Sequence, residues 1–310
     1  MSINPVEIPT GAVRYNTDSN KMEVYIGSTW MEVAVSSPNL DGGARGIFTG
    51  GATPSAVNTI DFVTISTAGD ATDFGDLSTV LRAHASFADR TRGLNAAGGN
   101  PSVTNTIEFI TISSTGNSQN FGDLTVARDY LAGVNNATRG VAGGAWGPSR
   151  SDVIDFVTMQ STGNAVDFGN LLTAKQTDGS FSSPTRGFWV GGASGSSPDY
   201  DASTSGTEIN FITTSSTGNA QDFGDLTQIN NLPGGTSCSN STRGIAMGGR
   251  EATGITTLSE IQIITIATLG NASKFGDLTQ AVRAASAVSS KTRGGRVAGY
   301  AVPANAATNT

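Results

Sequence analysis

The sequence predicts an all-β protein, and three observations lead to that fold class. An Arg-Gly step recurs along the 310 residues at intervals of 47, 47, 47, 57 and 50 residues. Each unit contains short runs of β-branched and aromatic residues and no apolar stripe of helical period. Forty glycines and 14% charged residues make a turn-rich chain, while 37% hydrophobic residues suffice for a sizeable core. Short strands in a repeat of this length are typical of a β-propeller.

Two further landmarks divide each unit into a constant and a variable part. The Arg-Gly steps begin at Arg45, Arg92, Arg139, Arg186, Arg243 and Arg293. The run IDFVTI or a variant begins at Ile60, Ile107, Ile154, Ile209 and Ile261, and FGDL or FGNL begins at Phe74, Phe121, Phe168, Phe223 and Phe275. The separation from Ile to Phe is 14 residues in all five copies, which predicts a fixed hairpin, whereas the separation from Arg to Ile varies from 15 to 23. Insertions are therefore tolerated in the variable part.

Four strands account for each unit. The first consists of small residues, as in RAHASFAD from Arg82, and the second is the apolar run after Arg-Gly, which ends in Gly-Gly. The third, such as IEFITI from Ile107, is apolar on both faces, which suits a strand between neighbouring sheets. The turn STGN follows, since Gly and Asn tolerate positive φ, and the fourth strand ends at the Phe of FGDL.

The number of blades depends on how the ends of the chain are used. Six Arg-Gly strands are present, but the third and fourth strands occur only five times. The N-terminal segment offers a strand at 22–26, a Gly27-Ser28 turn and a strand at 30–35. We expect six four-stranded blades, the last composed of N- and C-terminal segments, because closure removes exposed sheet edges. Five blades with a detached N-terminal hairpin are the alternative.

The predicted organisation has four parts. Residues 1–12 form an extended arm, 13–36 an N-terminal β-hairpin module for attachment or blade closure, 37–300 the propeller repeats, and 301–310 a flexible tail.

Composition excludes several function classes. A single Cys and a single His leave no Cys/His zinc site, and no phosphate loop is present, so no metal or cofactor is expected. The formal charge of −7 disfavours nucleic acid as a partner. No stretch approaches eighteen apolar residues, and the N-terminus lacks a signal peptide, so we expect synthesis in the cytoplasm and no membrane insertion.

The Gly-Gly after an apolar strand, the aromatic near the end of the fourth strand and the Arg of each unit resemble kelch-type propeller repeats, although Phe stands where kelch repeats usually have Trp. The segment PTGAVRYNTDSNKMEVYIGSTWMEV resembles a short module near the start of tail-fibre and other virion structural proteins of tailed phages, especially those of marine cyanobacteria. Similar phage proteins carry STGNAxDFGDL repeats. The resemblance implies a virion component of the fibre, adhesin or capsid-surface kind, whose oligomeric state is imposed by the virion.

Candidate functional residues fall into three groups. Loops between second and third strands carry the candidate binding residues Trp146, Arg150, Asp199, Tyr200, Asp201 and Arg250, whose types anchor protein or sugar contacts, with simple loop packing as the alternative. The candidate attachment residues are Tyr15, Tyr25 and Trp30, which either dock on another virion protein or belong to the closing blade. Arg45, Arg92, Arg139, Arg186 and Arg243 are predicted to be structural, paired with Asp76, Asp123, Asp225 and Asp277. Asn170 replaces the Asp in the third copy, where an amide keeps a hydrogen bond but no charge.

These observations predict a non-enzymatic protein with no catalytic residue, which binds a host-surface glycan or protein, or neighbouring virion proteins, through variable rim loops. A decoration protein without a receptor is one alternative. A glycan-depolymerising enzyme is another, and it needs two specialised acids, for which Glu251 and Asp201 are available. Asp199 and Asp201 are a weak signal for a hard cation.

Overall fold

The computed structural model describes residues 8–17, 21–33, 45–52, 54–99, 101–177, 179–194, 206–228, 236–250, 257–290, 293–297, 299–301 and 306–307. Every regular element in these ranges is a β-strand, which confirms the all-β prediction. No helix in this part of the chain has the length and apolar character needed to cross a membrane. The chain divides into two compact units, Met1–Asn39 and Leu40–Thr310.

The first unit is a three-stranded antiparallel sheet in the order β1-β2-β3, so it contains one strand more than the predicted hairpin. Its strands are β1 Val13–Asn16, β2 Lys21–Ile26 and β3 Thr29–Glu32. The backbone N–H of Gly11 donates to Tyr25 O over 2.8 Å, so the sheet already begins within the predicted arm.

The second unit contains the repeats. Its strands are β4 Arg45–Thr49, β5 Thr59–Thr64, β6 Thr72–Asp76, β7 Ala85–Ala88, β8 Arg92–Gly99, β9 Val103–Thr111, β10 Gln119–Asp123, β11 Ala132–Asn135, β12 Arg139–Ala145, β13 Ser151–Thr158, β14 Val166–Asn170, β15 Gly179–Ser182, β16 Arg186–Val190, β17 Glu208–Thr213, β18 Gln221–Asp225, β19 Thr236–Ser239, β20 Arg243–Met247, β21 Glu260–Thr265, β22 Ser273–Asp277, β23 Val282–Arg283, β24 Ser286–Ser289, β25 Gly294–Val297, β26 Tyr300–Ala301 and β27 Ala306–Ala307.

The strands group into sheets that follow the sequence repeat. Repeat 1 is the three-stranded sheet β4-β5-β6, and repeats 2 to 5 are the four-stranded sheets β7–β10, β11–β14, β15–β18 and β19–β22. Pairing in these five sheets is antiparallel, and each strand lies next to its neighbour in sequence. Antiparallel sheets of three and four strands, repeated along the chain, are consistent with a β-propeller.

A β-bulge sets the position of the Phe of FGDL. In repeat 2, Asn120 pairs with Glu108 and Gly122 pairs with Ile107, which leaves Phe121 as the extra residue between them. A bulge re-aims a side chain. Phe121 and its equivalents Phe74, Phe168 and Phe223 are buried, whereas Phe275, in the same bulge of repeat 5, is exposed. The bulge therefore aims the ring, and its burial depends on what packs against it.

The glycines of the Arg-Gly steps leave room for side chains from the first strand of the preceding repeat. A Cβ on Gly140 would lie 2.1 Å from Phe87 Cδ2, and one on Gly244 would lie 2.2 Å from Phe181 Cε2. Side chains also bond first strands in succession: Asn135 Nδ2 donates to Ala88 O over 2.7 Å. Equivalent hydrogen bonds run from Ser239 Oγ to Ser182 O (2.6 Å) and from Ser289 Oγ to Ser239 O (2.9 Å).

The C-terminal segment continues this pattern and returns to repeat 1. Strand β24 pairs with β25, and a Cβ on Gly46 of β4 would lie 3.0 Å from the Val288 methyls of β24. This contact is the equivalent of Phe87 against Gly140. Strand β26 pairs with both β23 and β27. The tail predicted to be flexible therefore contributes strand residues.

Two cations, Arg128 and Lys175, form buried ion pairs within the repeats. Arg128 Nη2 lies 2.9 Å from Asp155 Oδ2, and both side chains are buried. Lys175 Nζ lies 2.8 Å from Glu208 Oε2, and the lysine is fully buried. Burial lowers the pKa of Arg128, and the charge of Asp155 opposes that change. Both cations meet acids, but not the acids of FGDL.

Candidate functional site

The loop after β12 carries an aromatic and cationic cluster that has no counterpart among the described residues of the other repeats. The rings of Trp146 and Tyr130 have centroids 5.6 Å apart at 42°, and the Arg150 guanidinium lies 4.1 Å from the Trp146 ring centroid. Arg150 Nη1 donates to Gln176 Oε1 over 3.0 Å. All of these side chains except the buried Gln176 are half-buried. We call Tyr130, Trp146 and Arg150 the Trp146 cluster.

Backbone hydrogen bonds to Asp129 hold this loop in place. The Trp146 N–H donates to Asp129 O over 2.9 Å, and the Gly147 N–H donates to Asp129 Oδ1 over 2.9 Å. A Cβ on Gly147 would lie 2.8 Å from Asp129 Oδ1, so glycine permits this approach. The acid thereby fixes the aromatic side chain that follows β12.

Tyr130 adopts φ of 52°, which is costly for a bulky residue. The equivalent residues Ala83 and Ala284 have φ of 55° and 52°, so the conformation belongs to the repeat and not to this site alone. Only in the third repeat does this strained position carry an aromatic ring. Sequence reasoning missed Tyr130, Asp129 and Gln176 because each lies 16 to 30 residues from Trp146 and belongs to a different strand connection.

The cluster combines two flat rings and a guanidinium, which are side-chain types that suit contact with a protein or a sugar. Among the residues that the structure describes, no group of three or more His, Cys, Asp or Glu side chains is arranged to hold a metal ion.

Several predicted residues lie apart from the cluster or outside the described ranges. Asp199, Tyr200 and Asp201 are outside the described residues, and so is Glu251. Arg250 is half-buried and forms an isolated bridge with Thr257. Of the predicted binding residues, the structure brings together Trp146 and Arg150.

The predicted attachment residues lie in the N-terminal sheet, but on opposite faces. Tyr25 and Trp30 are directly paired, with ring centroids 5.2 Å apart, and the Arg14 guanidinium lies 4.2 Å from the Trp30 ring. Tyr15 is exposed and is paired with Met22 on the other face. That face is apolar: it carries Val13, Tyr15, Met22, Val24, Ile26 and Met31, most of them exposed.

The arginines of the Arg-Gly steps bond to backbone, so the predicted pairing with the FGDL aspartates is wrong. Arg45 Nη1 donates to Ile112 O of the next repeat over 2.7 Å, and its guanidinium lies 4.6 Å from the Phe62 ring centroid. Arg92, Arg139 and Arg186 make the same two contacts, with Met159 O, Thr214 O and Ile266 O and with Phe109, Phe156 and Phe211. A guanidinium on an aromatic face needs no carboxylate partner.

Arg243 departs from this arrangement. It is exposed, and Ile263 stands where the other repeats place the Phe that the arginine covers. Its backbone N–H donates to Asn240 Oδ1 over 2.8 Å.

The FGDL aspartates bond through their backbone, which explains Asn170. The N–H groups of Asp76 and Asn170 each donate to the Asn of the next turn, Asn117 and Asn219, over 3.1 Å. The side chains point to different partners: Asp225 Oδ1 accepts from Thr207 Oγ1 over 3.0 Å, and Asp277 Oδ2 lies 2.9 Å from Lys274 Nζ. Because the recurring bond is a backbone bond, Asn serves there as well as Asp.

The two residues with reactive side chains are held in packing roles. A Cβ on Gly294 would lie 2.7 Å from Cys238 Sγ, so the thiol fills the place that Phe87 takes against Gly140. Burial raises the pKa of Cys238 to about 11, which disfavours the thiolate. His84 Nε2 lies 2.9 Å from Thr49 Oγ1, whose proton goes to Asn95 Oδ1. His84 therefore donates from Nε2, and its buried Nδ1 has no partner within the described residues.

His84 is expected to make the protein sensitive to acid. Burial lowers its pKa from 6.5 to about 4, while the nearby Glu108 charge acts to raise it. Because the folded pKa is depressed, the unfolded chain takes up the proton first, and stability is lost as the pH falls from 6.5 towards 4. Between pH 7 and pH 4.5 this loss amounts to about 2–3 kcal/mol. Urea unfolding of wild type and His84→Gln at both pH values measures it: the fall should be smaller in the variant by that amount, and equal falls would contradict the assignment.

No family model and no curated protein matches this sequence. Among solved structures, the chain is similar to that of YjhT, with a TM-score of 0.65 and 8% sequence identity over 82% of this chain and 87% of that chain. At this identity the similarity bears on the fold alone, and it agrees with the repeated antiparallel sheets of Leu40–Thr310.

Proposed function

We propose that the second unit is a kelch-type propeller with six blade positions. Two observations support six: the first strands β7, β11, β15, β19 and β24 contact one another in succession, and β24 then contacts β4 of repeat 1. Five positions would leave β24 and β25 outside the ring. The Gly-Gly after each second strand and the Arg over a Phe ring support the kelch type, with Phe in place of the usual Trp.

We propose that the protein is a non-enzymatic structural protein of a phage virion, displayed in the manner of a fibre or adhesin. One observation carries the binding role: within the described residues the Trp146 cluster occurs in one repeat, whereas the recurring Arg45, Arg92, Arg139 and Arg186 are engaged in contacts between repeats. A feature needed by every blade is structural, and a feature present in one blade is free to serve recognition. The cluster then contacts a host-surface glycan or protein, or a neighbouring virion protein.

The N-terminal sheet supports attachment to another virion protein. Its apolar face, with Val13, Tyr15 and Met22 exposed, has the character of an interaction surface. The opposite face carries the Arg14–Glu23 ion pair at 2.7 Å and is suited to water. Docking through the apolar face holds the chain on the particle, whose symmetry sets the number of copies and lets weak contacts add through avidity.

Antibody fragments against residues 145–150 test this function on intact virions. We expect labelling visible by electron microscopy and a block of adsorption to the host. Labelling without a block would favour the decoration role, and no labelling would remove the virion display from consideration.

The purified chain is expected to compete with virions for the host surface. Trp146→Ala should weaken this competition about tenfold or more, because a half-buried aromatic anchor carries a large share of binding free energy. Val126→Ser, at another exposed residue, is the matched control and should compete as wild type does. Equal competition by both variants would place the binding surface elsewhere.

A further inference from the structure

A recurring lock joins the end of each fourth strand to the next repeat. We call the segment Phe-Gly-Asp/Asn at this end the FGD edge. In repeat 1, Gly116 N–H donates to Phe74 O over 2.8 Å and Ser118 N–H donates to Asp76 O over 2.9 Å. In return, Asp76 N–H donates to Asn117 Oδ1 over 3.1 Å. Three hydrogen bonds therefore hold one Gly-Asn turn.

Repeats 2, 3 and 4 contain the same lock. The turns that dock on them are Gly163–Ala165 on Phe121–Asp123, Gly218–Ala220 on Phe168–Asn170 and Gly270–Ala272 on Phe223–Asp225, with backbone bonds of 2.8 to 2.9 Å. The side-chain bond from Asn to the edge N–H is 3.0 to 3.1 Å in each. Four repeats thus show the same hydrogen-bonding groups in the turn that docks on an FGD edge.

Aliphatic residues of the docking hairpin complete the lock. Phe74 is buried in a cluster with Ile110 of the next repeat, and Phe223 is buried with Ile264 and Ile266 of the next. The hairpin that fills an FGD edge therefore has a strand with alternating aliphatic residues beside its Gly-Asn turn.

The FGD edge of repeat 5 is complete but uncovered. Phe275 is 60% exposed, whereas its four equivalents are 2 to 3% exposed. A Cβ on Gly276 would meet nothing within 4 Å, while one on Gly75 or Gly122 would lie 2.5 or 2.3 Å from a carbonyl oxygen of the docked turn. Within the described residues no turn lies against Phe275–Asp277.

We propose that Phe275–Asp277 binds a β-hairpin of a partner protein, which carries a Gly-Asn turn and an adjoining strand of alternating aliphatic residues. The partner adds to the sheet edge and makes the three hydrogen bonds that recur in repeats 1 to 4, a form of β-augmentation. Its aliphatic residues cover Phe275. This surface is composed of different residues from the Trp146 cluster, and its partner is independent of the host receptor.

The hairpin β2–β3 of this chain lacks the required turn. Its strands end and begin at Ile26 and Thr29, which leaves Gly27 and Ser28 as the whole turn. The docking turn of repeat 2 spans seven residues, 112–118, between β9 and β10. A two-residue turn does not present Gly N–H, Asn Oδ1 and a further N–H with that spacing, so β2–β3 does not fit the edge, and the proposal assigns the edge to a separate chain.

The test uses a fluorescent peptide with the sequence of residues 104–123, which contains the hairpin that docks on repeat 1, cyclised through a disulfide between two cysteines added at its ends. Binding to the full-length chain is measured by anisotropy, and we expect saturable binding. Gly276→Ala should weaken it at least tenfold, because the new methyl would meet the incoming carbonyl although it meets nothing in the free protein. Phe275→Ser should weaken it as well, through loss of the apolar cover.

Two controls decide between docking and general adhesion. Val166→Ser, at an exposed residue of β14, should bind the peptide as wild type does, and a peptide with Asn117→Ala should bind more weakly. Equal binding to wild type and Gly276→Ala overturns the proposal. Absence of binding to wild type also overturns it, and if Gly276→Ala is then less stable than wild type, a segment of the chain itself fills the edge. Neither outcome bears on the Trp146 cluster, which is tested by competition for the host.

Discussion

Arg128→Met is expected to lower the free energy of unfolding by about 3–5 kcal/mol. The change leaves Asp155, whose side chain is fully buried, without its ion-pair partner at 2.9 Å. It also removes the donor to Val153 O (2.8 Å) and to Ala142 O (3.2 Å). A buried charge without a partner costs more than the pair contributes, because water no longer solvates it. Urea unfolding at pH 7, followed by tryptophan fluorescence, measures the loss.

The double variant Arg128→Met/Asp155→Leu separates the ion pair from its surroundings. With both charges removed, we expect a smaller loss than in Arg128→Met, although Thr125 Oγ1 then loses its acceptor on Asp155. Lys274→Met is the exposed counterpart, since Lys274 pairs with Asp277 at the surface, and it should change stability little. If the double variant were less stable than the single one, an uncompensated charge would not be the cause.

Gly122→Ala is expected to cost about 3–5 kcal/mol, the sum of overpacking and a disfavoured backbone conformation. Its Cβ would lie 2.3 Å from Gly163 O and 2.5 Å from Gly163 C, at a φ of 154°. Backbone atoms cannot move aside as the end of a flexible side chain can. The lock between repeats 2 and 3 would therefore open.

The fifth repeat provides a comparison for this substitution. Gly276 occupies the equivalent position, but a Cβ there meets nothing within 4 Å and its φ lies outside the positive range found at Gly122. Both costs expected at Gly122 are therefore absent, and we expect Gly276→Ala to change stability by less than about 0.5 kcal/mol. Thermal unfolding of both variants checks the comparison. Equal losses would mean that a segment of this chain covers Gly276 as Gly163 covers Gly122.

The two stability predictions concern residues that hold repeats together, and the two binding surfaces concern features of single repeats. Residues that recur, such as Arg45 and Phe74, join repeats and leave little surface for recognition. The Trp146 cluster departs from the repeat in its residue types, and the Phe275–Asp277 edge departs from it because no turn in the described part of the chain covers it. Recognition is therefore expected where the repetition stops.

The strands and their order follow from local sequence patterns. The all-β class, the third strand and the turn that follows it are set by the local alternation of residue types and by turn residues, which act over a few positions. Trp146 and Arg150 were also accessible, because the stretch from Arg139 to Ile154 has the same 15-residue spacing as in the first two copies but different residue types.

The contacts of those residues depend on the tertiary structure. Arg45 bonds to Ile112 O and Arg186 to Ile266 O, pairs 67 and 80 residues apart, and a period in the sequence does not tell which neighbour supplies an acceptor. Charge suggested the aspartates, but a guanidinium is satisfied equally by a backbone carbonyl and an aromatic face. Tyr130 beside Trp146, and the uncovered Phe275, likewise follow from packing between strands that are distant in the chain, which no local pattern records.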